Sequence, residues 1–453
     1  MRLSLNLALG LTLLAGVLQL GCLWGQDDEP VTANELKKEL VKAIKTHGTS
    51  RAQWVADQLA AMQTKEAIDV LADVGLKGDN YDLERHIGGR LVAMPSAEAL
   101  ERMIYHANRN KDHRVRIVMS VVLSKRKEPA AFDALMANLE DRYPGVVIAV
   151  LEVVQETENL SAVGPLIDAL AFHERASGGG DGLIKFEIRT ALTRLTGYDS
   201  DESQDWKRFW QPYRKDHSAF QKKGSKADAG TAVVLRRPSF FDIEIPDDRV
   251  LFVLDISGSM MKKDAAPEET GKGGDGKDGG PLTGVVKKKK KKKKEKIPQD
   301  QIPDSRRRLA RVQAELVRVL QELPIKVKFN ILTFNHQIDE FQDELVPATP
   351  KNKQLAIRYV TNVAAEGQTH TDEAIDRAFD VQGVTSIYLL SDGAPRRDDV
   401  LLPTKPILQR TRELNRFRRV KIHAIGFEQA GRNLRRFMSK LAFQNHGKFK
   451  QLR

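Results

Sequence analysis

Asp255, Ser257 and Ser259 stand at alternate positions in the stretch DISGS, Thr369 lies in EGQTHTDEAI, and Asp392 lies in LLSDGAP. Together they offer two carboxylates and three hydroxyls, with no thiolate or imidazole among them. Hard oxygen donors of this kind suit Mg2+, or Mn2+ in its place, and not zinc. Mg2+ prefers six oxygens in an octahedron and usually keeps waters. Five side chains, some acting through water, therefore leave a position for a ligand from outside. The same residues make a poor catalytic set. No His/Asp pair is placed near Ser257 or Ser259 to activate a hydroxyl, and the single cysteine is Cys22. One metal with few spare acids is also a weak hydrolase site. The expectation is a binding protein and not an enzyme.

These residues must be positioned by the segment 239–453, where apolar runs alternate with amphipathic stretches. Phe240–Ile245, Arg249–Asp255, Lys326–Phe334, Ser386–Ser391, Val420–Phe427 and Lys448–Leu452 read as strands. Ser305–Leu323 reads as a helix with Leu309, Val312, Leu316 and Leu320 on one face, and further helices are expected near 354–364, 372–379, 408–416 and 434–444. Near-continuous apolar strands between amphipathic helices predict an α/β doubly wound domain, a mostly parallel sheet covered on both faces. Ligands of such sheets sit at the carboxyl ends of the strands. Asp255 and Asp392 each close a strand there, and Thr369 sits on a loop that opens a helix. Three segments thus bring five oxygens to one sheet edge. Thr371 reads as the N-cap of the helix carrying Asp372 and Glu373, and His370 as a solvent-facing loop residue.

Asp255-x-Ser257-x-Ser259, then Thr369, then Asp392 resembles the metal-ion-dependent adhesion site of von Willebrand factor A (VWA) domains. The resemblance runs from about Phe240 to Leu452 and includes the SDG step at Ser391–Gly393 and the closing LAFQNHGKFKQL. It implies a Rossmann-like VWA fold with Mg2+ held by the five residues and completed by an exposed acidic residue of a protein partner. Two buried acids roughly neutralise the ion, so an incoming anionic ligand is still favoured. One departure is Gly367-Gln368-Thr369, where the family often has Gly-Gly-Thr; the threonine itself is kept.

Residues 261–304 stand where this family usually moves quickly into its first helix. They are Gly-rich, then carry Lys287–Lys294, and have almost nothing apolar to bury, so disorder is expected. The eight lysines account for most of the formal charge of +12, which makes the basic balance local and only weak evidence for a nucleic-acid-binding protein. They are either a solvated spacer or a contact for a polyanion, such as lipid headgroups, cell-wall polymer or an acidic protein, with the metal then structural.

The chain begins as a targeting segment. Arg2 precedes the apolar residues 3–20, and polar sequence starts at Gln26, which marks 1–26 as a secretory signal. An exported, bacterial-type protein of the periplasm, envelope or medium is expected. Gly21-Cys22 resembles the end of a lipoprotein signal, although Gln19 departs from that pattern; lipidation, cleavage near Gly25 and an uncleaved membrane anchor all stay open. Without a cysteine pair there is no intramolecular disulfide. Residues 31–216 carry helical periodicity, and the segments starting at Asp112 and Tyr143 match at an offset of 31, as Val115/Val146, Phe132/Val163, Leu135/Leu166 and Leu139/Leu170. They resemble HEAT repeats and predict an all-α solenoid, serving as support or as a protein-binding surface. The acids of GYDSDESQDWKRFW read as helix capping beside aromatic anchors, not as a calcium site. Residues 217–238 read as a linker.

Overall fold

A computed structural model of the chain describes residues 31–46, 48–78, 80–175, 182–217, 220, 237–246, 249–264, 298–398 and 400–453. The expected signal segment with Cys22, the lysine block and most of the expected linker lie outside the described residues. Two compact units divide the chain, Met1–His106 and Ala107–Arg453.

In the first unit, α1 (Ala33–Lys45), α2 (Thr49–Met62), α3 (Lys65–Val70), α4 (Tyr81–Ala93) and the start of α5 (Ala97–Arg109) bury an apolar stripe that includes Leu40, Leu59, Ile68 and Ile87. Helix α1 begins in a reciprocal capping box: Thr32 accepts from the Glu35 amide and the Glu35 carboxylate accepts from the Thr32 amide. An arginine and a histidine together fix each of two acids between helices. Asp57 accepts from Arg90 and contacts His86, and Asp69 is held likewise by Arg102 and His106. Among the described residues no helix is long and apolar enough to cross a membrane.

The second unit opens with paired helices. Helices α6 (His113–Ser124) and α7 (Pro129–Ala137) are followed by α8 (Pro144–Glu156) and α9 (Val163–Arg175), so the second pair starts 31 residues after the first. The matched positions share an environment: Val115, Val146, Leu135, Leu166, Leu139 and Leu170 are all buried, and Phe132 packs on the same core as Val163. Arg116 and Asp141 form a buried two-pronged pair at 2.6 and 2.8 Å that ties α6 to the turn before α8. After α10 (Gly182–Thr196), α11 (Ser203–Trp210) buries Trp206 and Trp210. Its cap is not supplied by the neighbouring acids as the sequence suggested. Glu174 at the end of α9 accepts from the Ser203 amide at 2.8 Å, while Asp201 pairs with Arg189 and Arg237. A long carboxylate from a packed helix reaches the free amide better than the local acids do.

The sheet follows. The run expected as one strand at Phe240–Ile245 is instead a hairpin, β1 (Ser239–Phe240) against β2 (Ile243–Glu244), with Phe241 and Asp242 at φ 49° and 62°. The turn lets Phe240 and Ile243 both enter the core. Strands β3 (Arg249–Asp255), β4 (Lys328–Phe334), β7 (Ser386–Ser391), β10 (Lys421–Phe427) and β11 (Phe449–Leu452) run parallel in the order β11-β10-β7-β3-β4. Two short strands, β5 (Ile338–Glu340) and β6 (Val346–Pro347), add antiparallel to β4. Both faces are covered, which is why β3 reads as an unbroken apolar run. Val250, Phe252 and Leu254 face α12 (Arg308–Glu322) and α13 (Pro350–Asn362). Leu251 and Val253 face α14 (Thr371–Asp380), α15 (Thr404–Asn415) and α16 (Arg432–Gln444).

At the amino-terminal end of β10 the paired helices meet the sheet. Phe417 packs beside Ile117, Val146 and Ala149. Glu152 of α8 pairs with Arg419, and Glu187 of α10 pairs with Lys421.

Candidate metal centre

Strand β3 is followed in the chain by α12 and β4 on one side, whereas β7 is followed by α15 and β10 on the other. The connections leave β3 and β7 in opposite directions, which opens a crevice at their carboxyl ends. Asp255 is the last residue of β3, and Asp392 follows the last residue of β7.

The turn after β3 is shaped by its own acid. Asp255 Oδ1 accepts from the Ser257 amide at 2.8 Å, and Oδ2 accepts from the Ser391 hydroxyl at 2.5 Å. Backbone bonds then join the third segment to the first. The Gly258 amide donates to Gly367 O at 3.0 Å, and the Glu366 amide donates to Ile256 O at 2.8 Å. Thr369 is drawn toward the Asp392 segment, because the Arg396 amide donates to its carbonyl at 2.9 Å. A Cβ on Gly393 would stand 2.9 Å from Thr369 Oγ1, so any larger residue there would have to displace the Thr369 side chain.

The hydroxyls of Ser257 and Ser259 lie 3.1 Å apart, and Ser259 Oγ donates to Asp392 Oδ1 at 2.5 Å. Ser257, Ser259, Thr369 and Asp392 line one open cleft of about 780 Å³, whose rim carries Lys262, Arg396 and Arg432. Asp255 is fully buried behind Ser257, and its carboxyl is pushed up to about 7, first by burial and then by the charge of Asp392. Thus all five residues meet at one sheet edge, four in the cleft wall and Asp255 just beneath it.

Two neighbours differ from expectation. The N-cap of α14 is His370, not Thr371, which is the first helical residue and wholly buried. His370 is mostly covered, with its amide donating to Asn335 O and its ring 3.4 Å from Glu373. The loop is drawn inward by this backbone bond, so neither side chain is free to play the part its type suggested.

Sequence reasoning missed Arg308 and Asp264. Arg308 Nη1 donates to Asp392 Oδ2 at 2.7 Å, and its Nη2 donates to Asp264 Oδ1 at 2.9 Å. Both side chains are 3% exposed. A signal existed: Arg308 falls four residues before Val312 and eight before Leu316, on the buried face of α12. Its place in Arg306-Arg307-Arg308 concealed it as one more solvated charge. The edges of the insertion are also more ordered than expected, since Lys263 bridges Arg307 and Asp264 N donates to Arg306 O.

The donor set fits a hard cation. Burial and the neighbouring Asp392 raise the protonation tendency of Asp255, and a cation held by these residues would relieve that. Among the described residues no group of three or more His, Cys, Asp or Glu side chains is placed to hold a metal. Any ion here therefore depends on the hydroxyls.

No protein-family model matches the chain. It is similar to von Willebrand factor A domain-containing protein 3A of Homo sapiens, 32% identical over 143 residues, or 31% of this chain and 12% of that protein. The human protein 3B is 26% identical over 139 residues, 30% of this chain and 10% of that protein. The chain therefore spans about a tenth of the length of these relatives. Among solved structures, von Willebrand factor type A from Catenulispora acidiphila matches 45% of this chain and 38% of that chain at 13% identity, with a TM-score of 0.31. BatB from Bacteroides thetaiotaomicron matches 45% of this chain and 89% of that chain at 14% identity, with a TM-score of 0.29. The sheet domain is VWA-like.

Proposed function

We propose that the chain is an exported adhesion or scaffold protein whose VWA-like domain binds a protein partner through Mg2+, with Mn2+ as a substitute, and that it is not an enzyme. The carrying observation is the convergence of Ser257, Ser259, Thr369 and Asp392 on one cleft with Asp255 buried directly behind. These five side chains would hold the ion. Once bound, it supplies a Lewis-acid position for a carboxylate oxygen of the partner. The cationic rim of Lys262, Arg396 and Arg432 favours an acidic approach. The helix pairs, read as HEAT-like repeats, support the domain from the amino-terminal end of β10, away from the cleft.

The test is a pull-down from envelope extract with and without Mg2+, in parallel with calorimetric titration of Mg2+. The expected result is a captured partner lost on chelation and in Asp392→Ala. Capture that survives both but vanishes on deleting Lys287–Lys294 favours the second reading, a polyanion or surface binder with a structural metal. Metal-dependent turnover of a substrate sinks both.

A further inference from the structure

The buried guanidinium of Arg308 shares a carboxylate with the candidate metal site, and that arrangement has a consequence for which ion the site accepts. Asp392 presents two oxygens in different company. Oδ1 receives the Ser259 hydroxyl and belongs to the ligand cluster, whereas Oδ2 receives Arg308 Nη1 at 2.7 Å. Arg308 has little freedom to leave. Its Nε and Nη2 both donate to Asp264, at 2.9–3.2 Å, and Arg311 reaches the same carboxylate at 3.3 Å. The ring of Phe427 lies beneath, with its centroid 5.2 Å from the guanidinium carbon. Asp264 itself is anchored by its backbone to Arg306.

We propose that Arg308 is a specificity-determining residue: it restricts Asp392 to one available oxygen and so selects small six-coordinate ions, Mg2+ or Mn2+, over Ca2+. This rests on the metal-binding reading above. Ca2+ takes 6–8 oxygens and commonly uses a carboxylate two-pronged, whereas Mg2+ is satisfied by single oxygens in an octahedron. A divalent ion on Oδ2 would lie within about 5 Å of the guanidinium nitrogen, where unscreened repulsion opposes it. Asp255 is a poor substitute, because it is fully buried outside the cleft wall and both its oxygens already accept, from the Ser257 amide and the Ser391 hydroxyl. With both acids restrained, the cleft lacks the two-pronged carboxylate that Ca2+ uses to fill its larger shell.

The experiment is calorimetric titration of the full chain with MgCl2 and with CaCl2, for wild type, Arg308→Met and Asp264→Asn. Thermal melting in parallel verifies that each variant is folded. Wild type is expected to bind Mg2+ more tightly than Ca2+. Arg308→Met should shift the ratio of the two affinities toward Ca2+ by tenfold or more, and Asp264→Asn, which loosens the guanidinium, by a few-fold in the same direction. A ratio within twofold of wild type in a folded Arg308→Met variant overturns the proposal, as does a wild type that prefers Ca2+. If Arg308→Met does not fold, an unchanged ratio in Asp264→Asn overturns it. A wild type that binds neither ion removes the metal-binding reading along with it, whereas binding with an unaltered ratio removes only the role of Arg308.

Discussion

A Cβ on Gly145 would stand 2.7 Å from the carbonyl oxygen of Phe417. Gly145 lies in the first turn of α8 and Phe417 in the turn before β10, so the missing side chain is what lets a helix of the paired array settle on the sheet domain. Gly145→Ala should cost about 1–3 kcal/mol, the usual penalty for overpacking, read as a lower urea midpoint. Gly164→Ala is the internal control. Its Cβ would meet nothing within 4 Å, and a helical Gly→Ala exchange there should be neutral or stabilising by up to about 1 kcal/mol.

The same junction is held by charge. Glu152 and Arg419 are each less than a fifth exposed, and His446 Nε2 lies 3.1 Å from the same carboxylate. Removing one partner leaves the other charge stranded, so Arg419→Gln should destabilise by roughly 3 kcal/mol. Adding Glu152→Gln should recover much of that loss. A double-mutant cycle in urea measures the difference.

His423 makes the domain acid-sensitive. Its ring stacks on Tyr388 with centroids 4.7 Å apart, and Nδ1 accepts from the Lys448 amide at 3.1 Å. Burial, then Lys421 and Lys448, push it down to about 3 from an ordinary 6.5. The unfolded chain therefore binds a proton below pH 6.5 that the native state refuses until about pH 3. Stability should fall as pH drops through that window, by ~1.4 kcal/mol per pH unit for one such group. His423→Gln should flatten this limb in melting curves recorded between pH 7 and 4.

Asp255 is expected to weaken the metal-free fold at alkaline pH. Its carboxyl is raised from an ordinary 3.8 to about 7, so in metal-free protein its contribution is present below the unfolded value and lost as pH rises through 7. At pH 8 in chelator, Asp255→Asn should raise stability by roughly 1–4 kcal/mol, as relief of a buried charge often does. The same variant should show no rise in melting temperature on adding Mg2+. A variant that melts lower in chelator and still responds to Mg2+ contradicts this assignment.

The strands next to the candidate centre were the most legible elements. The ends of β3 and β7 read from sequence coincide with those in the structure, because a strand buried on both faces is apolar throughout and stops abruptly at polar residues. The small antiparallel pieces were not legible. β5, β6 and the hairpin of β8 (Arg396–Arg397) with β9 (Val400–Leu401) bury too little to impose a period. The two aspartates and three hydroxyl residues of the candidate centre were legible as a set, since residue type alone restricts them to oxygen chemistry.

By itself, the sequence determined that an α/β sheet would follow a helical array and that Asp255, Ser257, Ser259, Thr369 and Asp392 would lie at strand ends and loop starts. Those properties depend on local periodicity and on which residues follow an apolar run. The tertiary structure alone decided that Arg308 would reach Asp392, that Glu174 would cap α11, and that Glu152 would meet Arg419. Each is a charge brought to its partner across tens to hundreds of residues by packing. Long polar side chains look alike in sequence whether they end in water or in a buried pair, and only the fold distinguishes the two.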